Sequence, residues 1–306
     1  MKPTFFTLFF LFSTAVAFSQ IKGYTEYDDE IWLYDDGTWE YAYELPLDIE
    51  TIIMEKPSFS GRFASRPAVK PPKIIQLSAK ANQITDDDEW FLNNQLSLNT
   101  YEVPNNFRSI VGDIPKGTPV TFEGERIVKA LYDDTYNYFI YGVDFSEGRY
   151  LIVANREIEV ASYIFDFASY RMSPDYVKED LDYIAQRLNW ARIENGILYV
   201  SHSHSTYAES SKGMNAYITA ISLENNSVLW RSQPLVSNGQ NFIIYNDVIV
   251  CGYGFTNEKD YLYTLDKNTG KVNGKLTLKT GPSYFVLKDN VFYVRTYNMD
   301  YTFKFG

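Results

Sequence analysis

One phrase recurs through the C-terminal half of the chain: a short turn, an apolar strand, and then a second strand that closes on a Leu-Asp-like step. The first copy pairs Asn195-Gly196-Ile197-Leu198-Tyr199-Val200 with Tyr217-Ile218-Thr219-Ala220-Ile221-Ser222. The second pairs Asn246-Asp247-Val248-Ile249-Val250 with Tyr261-Leu262-Tyr263-Thr264-Leu265-Asp266, and a third, shorter copy pairs Asp289-Asn290-Val291-Phe292-Tyr293-Val294 with Tyr301-Thr302-Phe303-Lys304-Phe305. Ser222 and Asp266 stand 44 residues apart. A period of this size is that of units which cannot bury their apolar faces alone and stack into an array, as the blades of a propeller do. The expected fold is therefore all-β and β-propeller-like, with four or more blades.

Tyr163-Ile164-Phe165-Asp166 matches Tyr263-Thr264-Leu265-Asp266 in pattern and reads as an earlier copy, 56 residues before Ser222. A helix accounts for the excess length. Ser173 caps it, Pro174 takes the first position, and Val177, Leu181 and Ile184 fall on one face, so a short inserted helix is expected over 173–186.

Before the repeats the chain divides into segments of different chemistry. Residues 1–19 have a secretory signal layout: Lys2, an apolar run from Phe5 to Phe12, and the small-residue site Ala15-Val16-Ala17. The apolar run is about half of what a spanning helix needs, so the chain is expected to be exported, periplasmic or extracellular, and not membrane-spanning. Residues 20–45 place alternating apolar residues on either side of Asp35-Asp36-Gly37-Thr38, the pattern of a β-hairpin. Residues 25 to 50 hold ten acids and no Lys or Arg. The sign then reverses over 46–72, where Lys56, Arg62, Arg66 and Lys70 sit among Pro57, Pro67, Pro71 and Pro72, an extended linker by composition. Residues 73–306 form the propeller-like domain.

The connection after the second copy carries a family signal. Leu265-Asp266-Lys267-Asn268-Thr269-Gly270-Lys271-Val272 is similar to the Leu-Asp-x-x-Thr-Gly-Lys-Val segment of PQQ-like (quinoprotein-like) β-propeller repeats, and Ile221 to Trp230 resembles a diverged copy that ends in the family's Leu-Trp. In such repeats Trp230 would pack between neighbouring blades. The resemblance covers about residues 140 to 306 and implies a propeller. Because nothing follows Phe305 to form an outer strand, it also implies that a segment before residue 135 completes the last blade. The quinone-dependent dehydrogenases of this family use a vicinal cysteine pair; Cys251 is the only cysteine here. No cofactor is therefore expected, and the resemblance points to a non-enzymatic member in the manner of envelope-assembly scaffolds.

Composition excludes some functions and suggests others. A formal net charge of −11 argues against nucleic acid as a partner, since binding there depends on neutralising phosphates. One cysteine permits no intrachain disulfide, so stability rests on burial. The 26 Tyr and 21 Phe suit sheet faces and cores; any that reach the surface would offer rings for a protein or a glycan.

Candidate chemistry is sparse. His202 and His204, the only histidines, lie in Ser201-His202-Ser203-His204-Ser205. At i and i+2 of a strand they would share a face, a spacing two metal-bound imidazoles can use. A polar strand end is the competing reading. Asp28-Asp29, Asp86-Asp87-Asp88 and Asp133-Asp134 lack the calcium-loop spacing with its distal Glu and read as solvated turns. Cys251 follows Val248-Ile249-Val250 and reads as a buried thiol. The leading expectation is an exported propeller that binds protein as an envelope scaffold, without catalysis. The alternatives are a carbohydrate-binding propeller and a metal-dependent enzyme built on His202 and His204.

Overall fold

The computed structural model describes residues 21–24, 30–34, 37–41, 49–54, 70–82, 99–101, 114–115, 118–119, 121–142, 148–168, 187–204, 213–255 and 258–306. The expected helix at 173–186 lies outside them.

Nearly every described element is a strand. β1 (Ile21–Tyr24), β2 (Glu30–Leu33) and β3 (Trp39–Tyr41) form a separate antiparallel sheet in which Leu33 faces Trp39. Gly37, at φ +81°, supplies the turn that the Asp-Gly signal predicts. The amides of Tyr34 and Gly37 donate to the Thr38 and Tyr34 carbonyls at 2.9 and 3.0 Å.

Four consecutive meanders then follow. Blade 1 comprises β8 (Glu125–Tyr132), β9 (Tyr136–Gly142), β10 (Gly148–Asn155) and β11 (Val160–Asp166). Two short strands, β6 (Asn99–Tyr101) and β7 (Thr121–Phe122), flank β8, and β4 (Thr51–Ile53) runs parallel to β11 at the outer edge. The stretch read as a linker over 46–72 thus contains a strand. Blade 2 is β12 (Arg187–Glu194), β13 (Ile197–Ser203), β14 (Tyr217–Ser222) and β15 (Val228–Arg231). Blade 3 is β16 (Ile243–Tyr245), β17 (Val248–Tyr253), β18 (Tyr261–Asp266) and β19 (Val272–Thr277).

Blade 4 has only three strands of its own: β20 (Pro282–Lys288), β21 (Val291–Thr296) and β22 (Met299–Phe305). Its fourth is β5 (Ile74–Ala81), which comes from before blade 1 and pairs antiparallel to β22 from Met299↔Ala81 to Phe305↔Ile74. The last blade is therefore completed by an early segment, as the missing outer strand implied. Asn82 fixes its end, donating to Asp300 Oδ1 at 2.9 Å.

The repeated phrase is the second and third strand of each blade with the turn before it. Asn195-Gly196 and Asp289-Asn290 both have positive φ at both residues (+52°, +73° and +50°, +64°), the conformation of the two-residue turn whose twist matches a hairpin. After the third strand, Asp266 closes the wider turn: its carboxylate accepts from the Asn268 and Thr269 amides at 2.8 and 3.1 Å, and Gly270 donates to its carbonyl at 2.8 Å. In blade 2 Ser222 stands in its place and makes one weaker bond, accepting from Glu224 at 3.3 Å.

This corrects the reading of Tyr163–Asp166 as an earlier copy of the same strand. Asp166 ends the fourth strand of blade 1, whereas Asp266 ends the third strand of blade 3. Asn155 occupies the equivalent place, accepting from the Glu157 and Ile158 amides at 2.8 and 3.2 Å. Asp166 instead holds Arg149 through two 3.0 Å bonds, while its carbonyl accepts from Met54 at 2.9 Å and so anchors β4.

Packing joins the blades in series. One apolar cluster runs from Leu131, Tyr138 and Phe165 of blade 1 through Trp190, Leu198 and Ile218 to Ile249 and Leu265 of blade 3. Another joins Ile243, Val250 and Leu262 to Phe285, Phe292 and Phe303 of blade 4. Trp230, 2% exposed, does pack between blades: its indole Nε1 donates to the Lys267 carbonyl at 3.1 Å, and its ring covers Gly270. Lys267 in turn reaches Glu194 at 3.1 Å and the Asn246 carbonyl.

Candidate functional site

In a four-stranded meander the turns after strands one and three lie at one end, and the turn after strand two and the connection to the next blade lie at the other. Here the two ends differ. The first carries turns of two to five residues at 195–196, 223–227, 246–247, 267–271 and 289–290; the second carries the longer connections 232–242 and 254–260 together with the short ones 278–281 and 297–298. We call these the turn face and the loop face.

On the loop face, between blades 3 and 4, lies a cavity of about 630 Å³. This is within the range of about 300 to 1,000 Å³ typical of small-ligand sites. Its walls come from the connection before β16 (Asn238), the loop after β17 (Phe255, Glu258, Asp260), the connection before β20 (Lys279) and the turn before β22 (Tyr297).

Backbone and amide bonds hold these walls in place. The Asn238 side chain donates to the Gly254 carbonyl at 2.8 Å and accepts from its amide at 3.2 Å, and Leu278 donates to the Asp260 carbonyl at 2.9 Å. Thr280 Oγ1 lies 2.7 Å from Thr296 Oγ1 and donates to Asn298 Oδ1 at 3.0 Å, tying two walls together. Gly254 must be glycine for steric reasons, because a Cβ there would collide with the Asp260 carboxylate and the Gly281 backbone.

Other polar groups that line the cavity are not used to build it. The side chains of Glu258, Asp260, Lys279, Ser283 and Tyr297 make no hydrogen bond or ion pair with another described residue. Burial, and then the neighbouring Glu258 carboxylate, raise the Asp260 pKa above the ordinary carboxylate value. Tyr297 is 62% exposed and is the one aromatic among the exposed large hydrophobic side chains of the described residues. The rest of the described aromatic complement is largely spent on core, as in Trp190, Tyr138, Tyr199 and Phe285.

His202 and His204 lie elsewhere on this face, at the end of β13. Both are buried, 1% and 5% exposed. His202 Nε2 is 3.0 Å from Thr219 Oγ1, and its ring stacks on Tyr217 with centroids 5.5 Å apart. His204 Nδ1 is 3.2 Å from Asn215 Nδ2, and its amide donates to Asn215 Oδ1 at 2.8 Å. Among the described residues no group of three or more His, Cys, Asp or Glu side chains is placed to hold a metal ion. Asp133 serves its own turn, accepting from the Thr135 and Tyr136 amides at 2.8 and 2.7 Å and from the Tyr138 hydroxyl at 2.6 Å. Asp28-Asp29 and Asp86-Asp87-Asp88 fall outside the described residues. Cys251 is fully buried, and burial pushes its thiol pKa far up, which disfavours the reactive thiolate.

The sequence motifs gave no sign of the cavity. Its residues belong to connections that differ from blade to blade, and the one trace in the sequence is a set of glycines, Gly252, Gly254 and Gly281, where backbones approach closely.

No family model matches the sequence, and no curated protein matches it significantly. Solved structures with distant likeness include the hydrazine synthase of Kuenenia stuttgartiensis, at 11% identity and a TM-score of 0.33 over 52% of this chain, which itself spans 40% of that one. BamB from Moraxella catarrhalis is similar at 10% identity and a TM-score of 0.31, covering 76% of this chain and 98% of that chain. A europium-containing methanol dehydrogenase is similar at 11% identity and a TM-score of 0.33, covering 62% of this chain and 48% of that chain. The blade architecture rests on the strand pairings and not on these likenesses. Among the described residues no helix is long and apolar enough to cross a membrane.

Proposed function

We propose that this protein is an exported β-propeller of the PQQ-like kind that binds another protein as a cell-envelope scaffold, with its loop face as the docking surface. Export rests on the signal layout of residues 1–19, and the family on the Leu265–Val272 turn with its interblade Trp230. The observation that carries the reading is the asymmetry between the two faces. The turn face is closed by short turns, several of them held by their own side chains, as at Asn155, Asn225 and Asp266. The loop face presents longer connections and, around the cavity, the side chains of Glu258, Asp260, Lys279, Ser283 and Tyr297, which make no hydrogen bond or ion pair with another described residue. Rigid blades that display variable connections are a frequent arrangement for binding surfaces.

Capture of the full chain from its own host under native conditions tests this. A stoichiometric protein partner is expected, retained by Ile158→Ser on the turn face and lost from Lys279→Glu on the loop face; both residues are exposed. The absence of a stoichiometric partner, or an equal response to the two substitutions, overturns the proposal.

A further inference from the structure

Two independent features meet at one place. The first is the cavity between blades 3 and 4, of about 630 Å³. The second is Tyr297, a ring left 62% exposed in a chain that buries its other large described aromatics partly or wholly. An aromatic side chain at a wet surface forfeits the burial that makes it stabilising, so a ring held at a cavity lined by both polar and apolar surface offers its face to a ligand of mixed character.

The chemistry of the walls narrows the class. Glu258 and Asp260 offer carboxylate acceptors, Lys279 an ammonium donor, and Ser283 and Tyr297 hydroxyls that both donate and accept. A ligand that satisfies such a set carries many hydroxyls of its own, and one that also covers an aromatic ring carries a patch of C–H groups. A pyranose ring has both. The cavity is also unlike a site for a purely apolar guest, because its charged groups would be desolvated without partners.

We propose that the cavity between the third and fourth blades is a saccharide subsite. The Tyr297 ring stacks on the C–H face of a sugar whose hydroxyls bond to Glu258, Asp260 and Lys279. The two carboxylates outnumber the single ammonium, so neutral and amino sugars bind and uronates are repelled. The subsite shares Lys279 with the docking surface of the proposed function but does not rest on that reading: glycan binding is measured on the purified chain and partner capture in the host, so either can fail alone.

Binding of the full chain to immobilised neutral, amino-sugar and uronate glycans, followed by calorimetry with free glucose, galactose, N-acetylglucosamine and glucuronate, tests the proposal. Neutral or amino glycans are expected to bind. Tyr297→Ala should weaken that binding about tenfold. Asp260→Asn, which keeps an acceptor and loses the charge, should weaken it about three- to tenfold. Ile158→Ser, on the other face, should leave it unchanged. Matching thermal unfolding of the variants separates these losses from misfolding. Binding of glycan chains alone identifies a polysaccharide as the source, and binding of free monosaccharides as well identifies a soluble sugar; either supports the subsite. No binding to any neutral or amino probe overturns it, as do binding confined to uronates and binding that neither Tyr297→Ala nor Asp260→Asn weakens.

Discussion

Replacing Gly270 by alanine asks whether the turn after the third strand of blade 3 is also the seat of an interblade contact. Gly270 has φ +69°, which costs an L-residue roughly 1 to 2 kcal/mol. Its new Cβ would also fall on the Trp230 ring. That ring is 2% exposed and tied to the Lys267 carbonyl at 3.1 Å, so moving it means repacking a core, at about 1 to 3 kcal/mol. Together the loss is about 2 to 5 kcal/mol, a large part of the ~5 to 15 kcal/mol that holds a typical domain. Gly196→Ala isolates the first contribution. Gly196 has φ +73°, and a Cβ there meets nothing within 4 Å, so only roughly 1 to 2 kcal/mol is lost. Urea unfolding of both variants, followed by circular dichroism, should place Gly270→Ala about 1 to 3 kcal/mol below Gly196→Ala. In a Trp230→Leu background that gap should close. Equal losses for the two glycines, or a gap that survives removal of the indole, would refute the interblade reading.

Closure by β5 has its own test. Proline at both Ala79 and Lys80 removes at least one amide facing β22 whichever way the ladder runs, and should lower stability by about 1 to 3 kcal/mol; an unchanged urea midpoint would contradict the pairing. Lys129 donates to the Asn189 carbonyl at 2.7 Å, and burial, then the Arg187 charge, lowers its pKa from 10.5 to about 8. Below pH 8 the ammonium is charged in both folded and unfolded chains, and the folded state carries a penalty on the order of 3 kcal/mol for it. Lys129→Met should therefore stabilise the protein by about 2 kcal/mol at pH 7, after loss of the hydrogen bond. Between pH 8 and 10.5 the folded wild type sheds a proton the unfolded chain still holds, so its stability rises and the advantage fades; a difference independent of pH would contradict this. Elemental analysis of the purified full chain should find no stoichiometric zinc, copper or iron, since hydrogen bonds with Thr219 and Asn215 occupy His202 Nε2 and His204 Nδ1. A stoichiometric metal lost on His202→Gln would restore the histidine pair as a metal site.

Much of the blade architecture could be read from the sequence because its tight turns are local chemistry. Asn195-Gly196 needs two positive φ values, and Asp266 needs a side chain that bonds the next amides; both requirements appear as residue types at fixed spacing. Strand order did not show as clearly. Tyr163–Asp166 and Tyr263–Asp266 alternate alike because interior strands of a blade meet similar packing on both faces. The Asp166 carboxylate even accepts from the Ala168 amide at 2.8 Å, as that of Asp266 does from Asn268, so the strand pairing alone distinguishes fourth strand from third. β4 escaped notice for another reason: Thr51–Ile53 is three residues long and takes its parallel partner more than a hundred residues away, with no local signal. The cavity escaped for the same reason as β4. Tyr297, Asp260 and Lys279 come from three different connections, and nothing in their spacing says that one seam gathers them.

In the proposed function the loop face, and not the turn face, meets the partner. A photo-crosslinking residue in place of Lys279, and the same residue in place of Ile158, tests it in the native host with the full chain. One discrete protein adduct is expected from position 279 and none from position 158. Adducts from 158 alone, or the same adducts from both positions, would contradict it.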